Sequence, residues 1–188
     1  MISLEMYESI NLTKKFPALK NIRVGFSWDE CSYPHLNNGE SADADASIFM
    51  LNENGIIPDE GYFVFYNNLI SADNSVKHNA DATQGAEKDI ESVDICLSEV
   101  SPEIQQILLA ISIYNMEKGF DFENTNASIR LYNLDTNEAI CEFQLFEALP
   151  DSDAIIIGGF YRDGSEWKFE VMVRFFNGGI GAIIKEYT

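Results

Sequence analysis

Basic residues, cysteine and proline are all scarce in this chain. Its 188 residues include 12 Lys and Arg against 31 Asp and Glu, with three cysteines and five prolines. The resulting formal charge of −19 repels phosphate backbones and anionic lipid, which argues against a nucleic-acid partner. Cys31, Cys96 and Cys141 are odd in number, widely separated and free of any Cys-x-x-Cys spacing, so neither a disulfide framework nor a zinc cluster is expected. Cys96 and Cys141 lie in apolar runs and read as small buried side chains rather than reactive thiols. No stretch approaches the ~18 consecutive apolar residues that span a bilayer. The opening Met1-Ile2-Ser3-Leu4-Glu5-Met6 lacks the basic segment and apolar core of an export signal, so a cytoplasmic protein without a membrane span is the expectation.

Catalytic signatures are absent as well. There is no Gly-x-Ser-x-Gly elbow, no Gly-rich phosphate loop ending in Lys-Ser/Thr and no His-Glu-x-x-His. Only His35 and His78 are present, and they are not at ligand spacing, so a transition-metal centre fits poorly. His78 with Asp81 could form an acid/base pair, but a histidine tethering its own loop is the simpler reading. Gly178-Gly179-Ile180-Gly181 resembles a dinucleotide loop only superficially and is assigned to packing of the last segment.

What the chain does have is 46% hydrophobic and 12% aromatic residues, enough for a packed core in one domain spanning 1–188. Period-two alternation dominates. Ile22, Val24, Phe26 and Trp28 alternate with Arg23, Gly25 and Ser27, as a half-buried strand requires. Comparable strands are expected near 46–52, 62–67, 92–97, 107–114, 127–133, 139–146, 154–161 and 166–175. Many short strands point to an all-β fold, a β-sandwich of two packed antiparallel sheets. Asp163-Gly164 supplies the positive φ for a hairpin, after which Trp167, Phe169, Val171 and Val173 share one face. The capping serine, N1 proline and acid of Ser101-Pro102-Glu103-Ile104-Gln105-Gln106 predict one short helix. The segment 178–187 could form a final helical turn, although its glycines oppose it.

Three polar segments stand at predicted strand ends, each rich in the oxygen donors that hard cations prefer. In Ser41-Ala42-Asp43-Ala44-Asp45-Ala46-Ser47, Asp43 and Asp45 point to the same side of an extended chain. Tyr66-Asn67-Asn68 offers amide oxygens without charge. The stretch from His78 to Glu91 carries Asp81, Glu87, Asp89 and Glu91 around Gly85. Converging, the three would supply six to eight oxygens; the plain alternative is a set of solubilising acidic loops. The spacing does not match the EF-hand loop.

These residues, in order, resemble a known family. Gly25-Phe26-Ser27-Trp28-Asp29, Asp43-Ala44-Asp45-Ala46-Ser47, Phe63-Val64-Phe65-Tyr66-Asn67-Asn68 and His78 through Glu91 are followed by Ala110-Ile111-Ser112-Ile113-Tyr114, Asn126 through Asn133 and Gly159 through Phe169. The series is similar to the TerD family of tellurium-resistance and general stress proteins and covers nearly the whole chain. The resemblance implies a β-sandwich that binds calcium at one end, in bacterial cytoplasm, with no established catalytic activity. It implies calcium ligands at Asp43, Asp45, Asn67, Asn68, Asp81, Asp89 and Glu91, with Gly85 giving a carbonyl or only the turn. Where the family commonly ends this loop in a Gly-rich run with Asp-Asp-Glu, this chain reads Gly85-Ala86-Glu87-Lys88-Asp89-Ile90-Glu91, one residue shorter, with one acid lost and a lysine gained. One charge ~4 Å from another is worth roughly 4 kcal/mol at an effective dielectric of ~20 before solvent screening, so weakened calcium binding is expected, down to the loss of one of two sites.

Three functional readings follow. Bound calcium could order the loops of an interaction module whose partners are other stress-response proteins. The sites could have decayed, leaving a structural scaffold in a stress complex. Least favoured is a metal-assisted enzyme or small-anion receptor with His78 as its base. The sequence specifies neither the partner nor the oligomeric state, and gives no chemistry for tellurite.

Overall fold

The computed structural model describes residues 1–27, 43–79, 89–114, 128–145 and 152–188. The strands are β1 (Ile2–Ser3), β2 (Ser9–Asn11), β3 (Asn21–Ser27), β4 (Asp43–Leu51), β5 (Phe63–Val64), β6 (Val76–Asn79), β7 (Glu91–Cys96), β8 (Gln106–Tyr114), β9 (Ser128–Asn133), β10 (Glu138–Gln144), β11 (Ala154–Asp163), β12 (Glu166–Glu170) and β13 (Arg174–Phe176). Two helices are described, α1 (Leu12–Lys15) and α2 (Gly179–Glu186), with a 3-10 turn at Glu60–Tyr62. The first sheet runs β1-β10-β9-β3-β7-β6 and the second β2-β12-β11-β8-β4-β5, with β13 added alongside β11. Among the described residues every strand pairing is antiparallel except β1 with β10.

Alternation explains why the sheets stack. Ile22, Val24 and Phe26 of β3, Val93 and Ile95 of β7, and Ile129 and Leu131 of β9 project from the first sheet. They meet Ala46, Ile48 and Met50 of β4, Ile107, Leu109 and Ile111 of β8, and Phe169 of β12, all fully or almost fully buried. The other face of the second sheet is also covered. Phe49, Leu51, Leu108, Ala110, Ala154 and Ile156 form a smaller cluster under Ile183 and Tyr187 of α2. Burial on both faces is why β8 and the start of β11 read as unbroken apolar runs while β3 and β9 alternate.

Helix α2 forms despite its glycines because they have work to do at its start. Gly178 and Gly179 hold φ of 115° and 61°, a region most side chains avoid. Their N–H groups donate to the Asp153 carboxylate, at 3.0 and 2.7 Å to Oδ1. The acid therefore satisfies amides that the helix leaves open and sits at the positive end of its dipole.

Several expectations need correction. Ser101–Gln106 is a turn rather than a helix. The Gln105 N–H donates to Leu51 O at 2.8 Å, Gln106 joins β8, and the Val100 and Ile104 carbonyls each accept from Arg162 at 3.1 Å. The strand expected over 62–67 contracts to Phe63–Val64, and that over 166–175 divides into β12 and β13. His78 belongs to strand β6, not to a loop. Trp28 lies outside the described residues. Cys141 is buried, and burial pushes its thiol up to about 12; Cys96 is only half-buried.

Candidate functional site

The polar groups of interest gather where β4 and β7 begin, and strand geometry decides where each one points. Ala44 and Ala46 of β4 face the inter-sheet core, so Asp45 between them lies on the outer face of the second sheet, opposite Ser112 of β8. Asp43 begins β4 opposite Tyr114. Asn67 and Asn68 lie in the tight turn after β5, where Phe65 and Asn68 exchange backbone hydrogen bonds of 3.0 and 2.9 Å. The Asn68 side chain donates from Nδ2 to Phe63 O at 2.7 Å, a bond that does not use its Oδ1.

Asp89 is on the outer face of the first sheet. Its carboxylate lies directly on the backbone of Gly25, in the space any Cβ there would fill. Arg130 of β9, opposite Gly25 in register, holds Oδ1 through Nη2 at 2.6 Å and Nε at 2.9 Å. The same guanidinium donates to Ser27 Oγ at 3.0 Å, and Ser27 Oγ is 2.7 Å from Ser128 Oγ. Burial pushes the Asp89 carboxyl up, and Arg130 foremost, then Tyr132 and Arg23, pull it back without cancelling the rise. The Tyr132 hydroxyl is in turn pushed up to about 12, by burial and then by the charge of Asp89. Asp89 Oδ2 is buried and has no hydrogen-bond partner among the described residues.

Glu91 performs a different task, at the edge between the sheets. Its Oε2 accepts from the Ala46 N–H at 2.6 Å and lies 3.5 Å from His78 Nε2. His78 Nε2 is also 3.3 Å from Ala46 O. Serving that carbonyl requires a proton on Nε2, and Nδ1 is buried with no partner among the described residues. Strands of different sheets are thus stitched together by one glutamate and one histidine.

The described ligand candidates are therefore spread out: Asp43 opens β4, Asp45 lies outside the second sheet, Asn67 and Asn68 sit in the turn after β5, Glu91 lies between the sheets and Asp89 outside the first. Asp81 and Gly85 lie outside the described residues, so the convergence of the whole set extends beyond what is described. Among the described residues, no three His, Cys, Asp or Glu side chains form a metal cluster. The donor chemistry still suits a hard cation, being carboxylate and amide oxygen, and Asp89 Oδ2 offers the unclaimed lone pairs such an ion takes. Sequence reasoning did not single out Arg130. The only local sign is an arginine between the buried Ile129 and Leu131, and its meaning depends on the register with Gly25.

A two-sheet sandwich with acidic strand-end segments defines a class of β-rich fold, and comparison with known proteins makes it specific. The TerD domain matches residues 1–187, and the chain belongs to the TerD family. It is 33% identical to "Tellurium resistance protein TerD" of Serratia marcescens, over 99% of this chain and 96% of that protein. It is 35% identical to "General stress protein 16U" of Bacillus subtilis (strain 168), with the same coverage. A crystal structure of a Streptomyces coelicolor A3(2) homologue of the telluride resistance protein (TerD) superposes with a TM-score of 0.64 at 18% identity, covering 86% of this chain and 93% of that one. A crystal structure of a protein of unknown function gives 0.69 at 19% identity, covering 88% and 95%. Both likenesses concern the fold.

Proposed function

We propose that this member of a tellurium-resistance and stress-response family is a non-catalytic calcium-binding module that acts through contacts with other stress-response proteins in the cytoplasm. The observation that carries the calcium reading is Asp89: a buried carboxylate with one oxygen held by Arg130 and the other without a donor among the described residues. Asp89 Oδ2 would face one ion, and Asp43, Asp45, Asn67, Asn68, Asp81 and Glu91, with Gly85 as a carbonyl donor, would be shared between one or two ions, since Asp45 and Asp89 lie outside different sheets. The ion would supply positive charge that relieves repulsion among these acids. Arg130 holds the Asp89 carboxylate in place, and Glu91 with His78 positions the start of β7 against β4. No described helix is long and apolar enough to cross a membrane, which is compatible with this setting.

A second reading, a scaffold whose cation site has decayed, is favoured by a specific observation. Arg130 already neutralises Asp89, and Glu91 is already engaged by the Ala46 N–H. The enzyme reading loses ground, because the His78 ring is only 4% exposed and its Nε2 is committed to Ala46. Thermal melts of chelator-stripped protein with calcium, against magnesium at equal ionic strength, separate the first two. Binding at ~100 times Kd adds about 2.7 kcal/mol. A saturable calcium-specific rise that disappears in Asp89→Asn supports the module, and equal responses to the two ions support the scaffold.

A further inference from the structure

A cleft of about 700 Å3 opens beside the edge strand β5, between the segment 57–68 and helix α2. Ile57, Phe63, Phe65 and Ile184 line it, and Asp59 and Glu60 stand at its rim; no lysine or arginine lines it among the described residues. A row of rings leads outward along one wall. It begins at the buried Phe49, passes to Phe63 at 4.7 Å and to Phe65 stacked at 4.4 Å, and ends edge-on at Tyr66, 5.1 Å further and 55% exposed. Ile56, Leu69 and Ile70 in the same stretch are exposed as well. Leu69 and Ile70 run alongside β6 of the first sheet, so the exposed apolar side chains span the neighbouring edges of both sheets, and exposed apolar surface on a chain so heavily charged marks a contact site.

We propose that this cleft docks a segment of a partner protein in which arginine stands beside an apolar anchor. The anchor fills the space over Phe63 and Ile184. The guanidinium, planar and weakly hydrated, stacks on an aromatic face and presents its fork to Asp59 and Glu60. The net charge of −19 steers a basic segment toward this rim and opposes a second copy of the same chain. The proposal rests on reading the chain as an interaction module; because Asn67 and Asn68, proposed above as calcium donors, also line the cleft, docking is tested first without the ion.

The test is an amide NMR titration of the full chain with the blocked peptide Leu-Arg-Leu-Arg, its lysine and glutamate counterparts serving as comparisons, in chelator and again in calcium. Saturable shifts at Gly61, Phe63, Phe65, Asn67 and Ile184 are expected with the arginine peptide, several-fold weaker binding with lysine, and none with glutamate. The double variant Asp59→Asn/Glu60→Gln should weaken binding several-fold while leaving distant resonances unmoved, because an asparagine can keep the cap that Asp59 provides to the Gly61 N–H at 2.8 Å. The proposal is overturned by equal shifts with the glutamate peptide, by undiminished binding in the double variant, or by shifts confined to another surface. Absence of shifts at millimolar peptide, or peptide-free self-association that masks these amides, also overturns it. The calcium reading is judged separately by the melts, so its failure leaves this outcome legible.

Discussion

Replacing Arg130 by Gln isolates the interaction on which the candidate site turns. The Asp89 side chain is fully buried and the Arg130 side chain only 12% exposed, so water cannot take over the role of the guanidinium. Removing one partner of such a pair strands a buried charge and costs about 3–5 kcal/mol. For a chain of this length that corresponds to a fall of roughly 6–20 °C in Tm. The deficit should depend on pH with a definite sign. Burial already raises the Asp89 carboxyl above its unfolded value, and Arg130 is the foremost group opposing that rise. A carboxyl raised on folding contributes stability that is present below its unfolded pKa, about 3.9, and is lost as pH rises through the folded value. The variant should therefore be weakest near neutrality and recover on acidification, as Asp89 becomes neutral. Adding Asp89→Asn should restore most of the loss at pH 7. If calcium binds Asp89 Oδ2, the single variant should also gain more from calcium than the parent does. Urea denaturation at several pH values measures each of these. A loss below about 1 kcal/mol, a loss independent of pH, or a double variant no better than the single one would refute the argument.

Gly25→Ala should be destabilising by about 1–3 kcal/mol and should displace Asp89, because its Cβ would occupy the space of that carboxylate; denaturation together with the calcium melt reads both effects. Asp73 ties the 71–75 turn to Ser101, accepting from Ser71 Oγ at 2.7 Å, Ser75 N at 3.0 Å and Ser101 N at 2.8 Å. Burial pushes its carboxyl up but these bonds prevail and hold it below the usual value, so its contribution is present above about pH 4 and lost as pH falls through the folded value. Asp73→Ala should cost about 2–3 kcal/mol at pH 7 and nearly nothing in strong acid, checked by urea midpoints at both. Asp153→Ala should cost about 1–2 kcal/mol and selectively raise hydrogen exchange in α2, whose first amides it caps. Ile90 is 43% exposed where the family's loop commonly has an acid, so Ile90→Asp should be tolerated and should tighten calcium about tenfold by calorimetry if the site is functional; an unchanged affinity would favour the scaffold.

The sandwich was legible because its strands alternate cleanly, and the parts that escaped notice are those whose identity comes from a distant partner. Val76–Asn79 includes Lys77 and Asn79 and shows weak alternation; it is a strand because β7 pairs with it. Ser101-Pro102-Glu103 has the marks of a helix start, yet the Ser101 N–H goes to Asp73 and the Ser101 hydroxyl to Glu103, so the same residues serve a turn. In the site, the acids were visible as acids. Their division among three surfaces was not, because it follows from which face of each strand they take and from the crossing of Asp89 onto Gly25. Arg130 acquires its role only through the β3–β9 register.

The distribution of these groups says what a bound cation would and would not do. The core between the sheets and the second cluster under α2 are built from packed side chains, and the bonds of Glu91 and His78 to the Ala46 backbone join β7 and β6 of the first sheet to β4 of the second. Arg130 balances Asp89 within the chain. With a core of this size between the sheets, the ion's effect on the sandwich should be a modest rise in stability rather than a switch between folded and unfolded states, as melts in chelator would read. Its larger consequence would be electrostatic. Each calcium adds two positive charges to one end of a molecule of formal charge −19, changing which partners that end attracts, and through Asn67 and Asn68, which also line the β5 cleft, it would alter one wall of that cleft while its acidic rim at Asp59 and Glu60 stays.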